Sequence, residues 1–311
     1  MRFLLSTTIS LFCATAIVAA PEGDVLHFLP ADTEMVAYVN VQQLVGSALV
    51  KKHALEPVKS ALKDNKEAQR ALEALGLDPF HDIRTLHLFG PASNAPRLLL
   101  VVRGSFDVEK LNSAAEDYGK RNSGKCKVHR DKDLKVYEIT ENGQTAFVLV
   151  LDKETILIAL TRESLLEAAR RTEPGLKNEQ LLGLLKEQDN KQSLWTVALA
   201  TDELKKQAGS SPQTAALAEK LTSLTGRIIV TDVIQVDIRV NTTDPRSAAN
   251  LSKLLGDLKG VAVFATQNID TYGQLISSLI DTFKIAGDKS AVTLSATITE
   301  EVIEKGLKKD R

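Results

Sequence analysis

Three runs of this chain are apolar at almost every position: RLLLVV at 97–102, AFVLVL at 146–151 and ILIAL at 156–160. Each has the length of a strand and polar or turn-forming flanks. Side chains of a strand alternate between two faces, so a run that is apolar throughout needs both faces covered. The chain must therefore build a sheet buried on both sides, against a second sheet, against helices, or by an apolar ligand. With 43% hydrophobic but only 5% aromatic residues, that core has to come mainly from Leu, Val, Ile and Ala. At 311 residues, it has material for two modest domains or one large one.

The order of the other segments narrows the class. MVAYVNV reads as a strand, followed by helical spacing from Gln42 to Leu75 with an interruption expected near Pro57. Gly76 suits the position just past a helix end. DIRTLHLFG and RLLLVVRG are strands, and Asp107 caps a helix reaching about Tyr118. A meander follows: KCKVHR, LKVYEIT, TAFVLVL and TILIAL. Asn142-Gly143 marks a tight hairpin between its second and third strands. Thr161 caps the next helix. RTEPGLKNEQLLGLLKEQDNKQ then reads as a junction containing one short helix. After it the order restarts: a strand (LWTVALA), helices from Asp202 to Leu221 broken at GSSP, two strands, and a helix opened by Asp244-Pro245. IDTYGQLISSLIDTF reads as a further helix, FKIAGDKSAVTLSATI as a hairpin, and Thr299 caps the last helix. VAVFA at 261–265 is another apolar run of strand length. Asp107 and Asp244 lie 137 positions apart, and Thr161 and Thr299 lie 138 apart. The expected fold is α+β, with two related units of order β-α-β-β-α-β-α, each a mainly antiparallel sheet with helices packed on it. The expected boundaries are a signal peptide at 1–20, a first unit at 21–188 and a second at 189–311.

Residues 1–20 have the pattern of a secretory leader: one charge at Arg2, an uncharged apolar run to Ala20, then Pro21, Glu22 and Asp24. Val18 and Ala20 suit cleavage after Ala20, cleavage after Ala19 is the alternative, and an uncleaved anchor is the rival reading. No later run suggests a membrane helix, so an exported protein is expected, periplasmic or extracellular. Beyond the leader, Cys126 is the remaining cysteine, which leaves no internal disulfide. On strand KCKVHR it reads as a small buried hydrophobe; His129 falls on the opposite strand face and is poorly placed to activate it.

Charge and motifs exclude several chemistries. Net charge is −1 and basic doublets such as Lys51-Lys52 are isolated, so nucleic acid is not an expected partner. H-E-x-x-H, C-x-x-C, G-x-S-x-G, Walker and G-x-G-x-x-G patterns are all missing. The densest group of ligand-type residues is Asp78, His81, Asp82 and His87, which reads more simply as a turn followed by a strand. Trp195, the only tryptophan, reads as core. Asn241 and Asn250 head glycan-acceptor triplets that matter only in a eukaryotic secretory pathway. No catalytic, cofactor-binding or metal-ligating residue is assigned, and no cofactor is expected.

Taken together, FLPADTEMVAYVNVQQLVGSALVKK, ALGLDPFHDIRTLHLFGP, GSFDVEKL, TDELKK and TEEVIEKGLKK resemble a group of exported proteins of planctomycete-type bacteria. The resemblance spans nearly the whole mature chain and implies export, with no reaction attached. The leading expectation is a non-enzymatic protein acting by binding or in an envelope assembly, with an unknown protein or an apolar ligand as partner. One alternative is a carrier holding a lipid or other apolar ligand between sheet and helices. Another is a hydrolase without a recognisable motif.

Overall fold

A computed structural model of the chain describes residues 25–307, apart from 93, 123, 142, 210–211 and 267–278. The leader, Asn142 and most of the segment IDTYGQLISSLIDTF lie outside the described residues. Strand β1 (Met35–Asn40) runs directly into four short helices: α1 (Val41–Gly46), α2 (Ala48–His53), α3 (Leu55–Asp64) and α4 (Lys66–Leu75). Then come β2 (Ile83–Gly90), β3 (Leu99–Gly104), α5 (Val108–Arg121), β4 (Cys126–Asp131), β5 (Leu134–Glu141), β6 (Gln144–Asp152), β7 (Thr155–Ala159), α6 (Arg162–Arg170) and α7 (Glu179–Lys186). The later elements are β8 (Leu194–Leu199), α8 (Asp202–Ala208), α9 (Pro212–Ala218), β9 (Leu221–Val230), β10 (Ile234–Thr242), α10 (Pro245–Thr266), β11 (Lys284–Asp288), β12 (Ala291–Ile298) and α11 (Glu300–Leu307).

Short polar side chains set the helix starts. Asn40, Ser47, Asp107, Thr161, Asn178 and Thr201 each accept a hydrogen bond from the backbone N–H three residues on, satisfying a donor the helix cannot. Asp244 does the same for Ser247 and, through these bonds, titrates at about 2. The interruption expected near Pro57 falls just before it, at Ala54. Pro57 sits in the first turn of α3, where its missing N–H costs nothing, and the breaks come at Ser47, Ala54 and Asn65. The run VAVFA is not a strand. It continues α10, because no turn signal separates it from the preceding helix.

The twelve strands among the described residues form one antiparallel sheet, ordered β11-β12-β10-β9-β8-β1-β2-β3-β7-β6-β5-β4. The α+β class is as expected, and its helices are layered on that single sheet. The earlier and later strands meet edge to edge at its centre. There β1 pairs with β8 from Met35↔Ala198 to Val39↔Leu194, placing Tyr38 opposite Trp195. The edge strands carry Lys127, Arg130 and Asp131 on β4 and Lys284 and Asp288 on β11, charges that discourage further strand addition.

Register explains the non-alternating strands. Val36, Tyr38, Phe89, Leu99, Val101, Leu149, Leu157, Trp195 and Val197 share one face, packed beneath Phe28 and Leu29, Leu165 of α6, and Leu181 and Leu185 of α7. Val102, Ile156 and, half-buried, Leu100, Val148 and Ile158 point to the other face, under Phe106 and Leu111. Both faces of β3, β6 and β7 are thus covered by helices and loops rather than by a second sheet. Further along, β10 alternates: Ile234, Val236 and Ile238 are half-buried, while Gln235, Asp237 and Arg239 are exposed. That is the pattern of a sheet with one covered face. Helices α1 and α2 reach across the central seam. Gln43 Nε2 donates to the Val230 carbonyl at 2.8 Å and the Leu49 N–H to that of Thr231 at 3.0 Å.

Candidate functional site

A cavity of about 350 Å³ opens between the end of α4 and the start of α5, lined by Leu75, Gly76, Leu77, Asp82, Ser105, Phe106, Asp107 and Leu111. Local chain chemistry builds it. Gly76 takes φ +62° to end α4, a conformation that L side chains rarely adopt. The loop then folds on itself. The Asp78 N–H donates to Asp82 Oδ2 at 2.7 Å, and the Phe80 N–H donates to Asp78 Oδ1 at 2.9 Å. The segment after β3 is tied to this loop by the Ser105 N–H to the Asp82 carbonyl at 2.8 Å. The Phe106 N–H anchors its other side on the Lys153 carbonyl at 2.7 Å.

Leu75, Leu77, Phe106 and Leu111 tie its floor to the core under α5, and the surface left open is mainly polar. Burial pushes the Asp82 carboxyl up, but the Asp78 N–H and the neighbouring His81 and Lys110 more than offset this and hold it below the usual carboxylate range. Both carboxylates at the mouth already serve the backbone: Asp82 closes its own loop and Asp107 caps α5 through the Lys110 N–H at 3.0 Å. Such a site can hold a small polar molecule against a limited apolar floor.

Gly104 sets how closely the two loops approach. A Cβ there would lie 2.1 Å from the Asp82 carbonyl oxygen and 2.6 Å from the Phe106 ring. Gly104→Ala is expected to cost about 1–3 kcal/mol by forcing the loops apart, read as a lower midpoint in urea. An unchanged midpoint would mean the loops are not held by this contact.

The structure separates the group Asp78, His81, Asp82 and His87. The first three stay in the exposed loop, whereas His87 is buried on the opposite face of the sheet, under Tyr38 at 5.0 Å between ring centroids. Cys126 is buried with its thiol pushed up by burial and by the Glu138 charge. His129 turns away to Glu138 at 2.7 Å, as strand alternation predicts. Trp195 is fully buried and stacks on Tyr38 at 5.2 Å.

A second convergence was not legible beforehand. His53, at the end of α2, places Nε2 2.6 Å from Glu300 Oε1 on α11, and Glu304 lies one turn further along α11. Lys52 Nζ lies 2.7 Å from Glu300 Oε1 and 3.5 Å from Glu304 Oε1. Hydrogen bonds from Lys52 and His53 keep the Glu300 carboxyl below its usual range. Nothing local in the sequence couples positions 247 residues apart. The pocket did leave a signal, since both loops that build it stand out as turn and cap motifs, GLDPFHD and GSFD.

The sequence matches no family model and no curated protein. Among solved structures, the chain is similar to the Treponema protein TP0453. Crystal form III of TP0453 aligns over 91% of this chain and 96% of that one, at 9% identity and a TM-score of 0.51. Crystal form I aligns over 92% and 97%, at 11% identity and a TM-score of 0.49. At such identity the likeness concerns the fold: form III supports the α+β arrangement over nearly the whole of both chains. No helix among the described residues is long and apolar enough to cross a membrane.

Proposed function

We propose that this chain is an exported, non-enzymatic binding protein that holds a small polar ligand in the cavity between α4 and α5. The observation that carries the reading is the cavity itself. Its volume of about 350 Å³ lies within the range of small-ligand sites. Asp82, Ser105 and Asp107 make its open surface mainly polar, with the carboxylates engaged as loop and helix caps, and Leu75, Leu77, Phe106 and Leu111 supply a smaller apolar floor. The leader pattern of residues 1–20 and the resemblance to exported planctomycete-type proteins support export. The two carboxylates and Ser105 at the mouth favour a ligand that is neutral or cationic.

Native mass spectrometry of the mature protein, purified from its own host without detergent, tests this. A discrete excess mass that disappears on denaturation is expected, together with a mature N-terminus near residue 20 or 21. Ser105 is exposed at the mouth, so Ser105→Phe can block entry without disturbing the core and should abolish the excess mass. A clean apo mass for the wild-type protein, or an adduct that Ser105→Phe retains, overturns the reading and points to a protein partner instead.

A further inference from the structure

We propose that His53, Glu300 and Glu304 form a site for one divalent transition-metal ion of the zinc type, clasping α11 to α2. The three side chains can each present one ligand atom, and those atoms lie within 4.8 Å of one another. Glu300 and Glu304 are four apart on a helix, so their carboxylates lie on one face, one turn apart. His53 enters from α2, a different element. One imidazole nitrogen and two carboxylate oxygens suit zinc and its neighbours, whose ligand bonds of about 2.0–2.2 Å leave room for water at a fourth position.

The site is preorganised but guarded. Lys52 provides a single positive charge where the ion would provide two, and its side chain is 59% exposed. Its ammonium can therefore swing into solvent, where hydration compensates the lost pairs. The His53–Glu300 separation of 2.6 Å is a hydrogen bond, with Nε2–H donating to the carboxylate. For the ion to enter, that proton must leave Nε2, either to Nδ1 by a change of tautomer or to solvent from the imidazolium. The Nε2 lone pair then faces the metal. The two atoms need to separate by about 0.8 Å, to about 3.4 Å, the spacing that two bonds of about 2.1 Å make at a tetrahedral angle.

The consequence is mechanical. Helix α2 already holds the far side of the seam through the Leu49 N–H to the Thr231 carbonyl. An ion between α2 and α11 would pin the last described helix to the first helical cluster, joining segments that the chain otherwise connects only over 247 positions.

The test uses the full mature chain, stripped with a chelator and titrated with Co2+ and Zn2+ as probes. One equivalent of Co2+ should give visible ligand-field bands, Zn2+ should quench them by displacement, and one equivalent of Zn2+ should raise the thermal midpoint. His53→Gln and Glu304→Gln keep size and polarity. Each should weaken binding at least 10–100-fold, roughly the loss seen on removing even outer-shell partners, and cancel the thermal shift. Lys52→Met should strengthen binding by removing the competing cation. Absence of saturable binding overturns the proposal, as does equal binding by wild type and both variants, which would place the ion elsewhere.

Discussion

His87→Gln is expected to flatten the acid side of the stability profile between about pH 6.5 and pH 4. His87 is 2% exposed in the face beneath α6 and α7, and burial, with the nearby Arg103 charge, pushes its pKa down to about 4. Its folded pKa is thus depressed below the unfolded value near 6.5. Within that window the unfolded chain binds a proton at this position and the folded chain does not, so stability rises with pH and is lost as pH falls. Across the full interval the difference amounts to about 3 kcal/mol. Carboxylates titrate over part of the same range, so the informative quantity is the difference between wild type and variant in urea-unfolding free energy at matched pH. Gln retains a hydrogen-bonding group for Thr85, whose Oγ1 lies 3.0 Å from His87 Nε2, but has no proton to gain. Parallel profiles would mean that the fold opens locally to admit water to the imidazole before it unfolds globally.

Removing Trp195 should have the largest effect of any single truncation. Trp195→Ala is expected to cost about 3–5 kcal/mol. The ring is fully buried, faces Tyr38 across the β1–β8 ladder and stacks on it with an interplanar angle of 18°. The cavity would open at the seam where the earlier strands meet the later ones, where relaxation on one side is opposed by strands on the other. Trp195→Phe should cost much less. It keeps the stacking surface and removes an indole N–H that is buried without a hydrogen-bond partner. Leu258→Ala, at a side chain 52% exposed on α10, should change stability by less than about 0.5 kcal/mol and serves as the control. As Trp195 is the sole tryptophan, unfolding has to be followed by circular dichroism. A loss below about 1 kcal/mol for Trp195→Ala would show that the seam is held by backbone pairing rather than by this stack.

Local chemistry was largely legible. Asp107, Thr161 and Asp244 mark helix starts because a short oxygen-bearing side chain satisfies an orphan N–H within three residues. Gly143 sits in the β5–β6 turn with φ +78°, flanked by the pair Glu141↔Gln144. Some local rules have two outcomes. Pro57 breaks a helix in its interior but is accommodated in a first turn, and the difference depends on where Ser47 and Ala54 had already stopped the chain. VAVFA has the length of a strand and the composition of a buried helix, and periodicity cannot separate the two in so short a run. Of the pocket, the turn at Asp78 and the cap at Asp107 were visible, whereas their facing each other follows from the register of β2 on β3.

By itself the sequence determined that the chain is α+β, that its strands pair antiparallel, and that β3, β6 and β7 need cover on both faces. Each of these follows from forces acting within a few residues: alternation, turn geometry and the need to remove apolar side chains from water. Only the tertiary structure decided that β1 and β8 join the twelve described strands into one sheet, because backbone hydrogen bonding between strands carries no sequence address. It likewise decided that His53 meets Glu300 and Glu304, and that Leu75 and Leu77 meet Phe106 and Leu111 around a cavity. Those meetings depend on how whole elements pack, and packing sums many weak contacts over residues far apart in the chain.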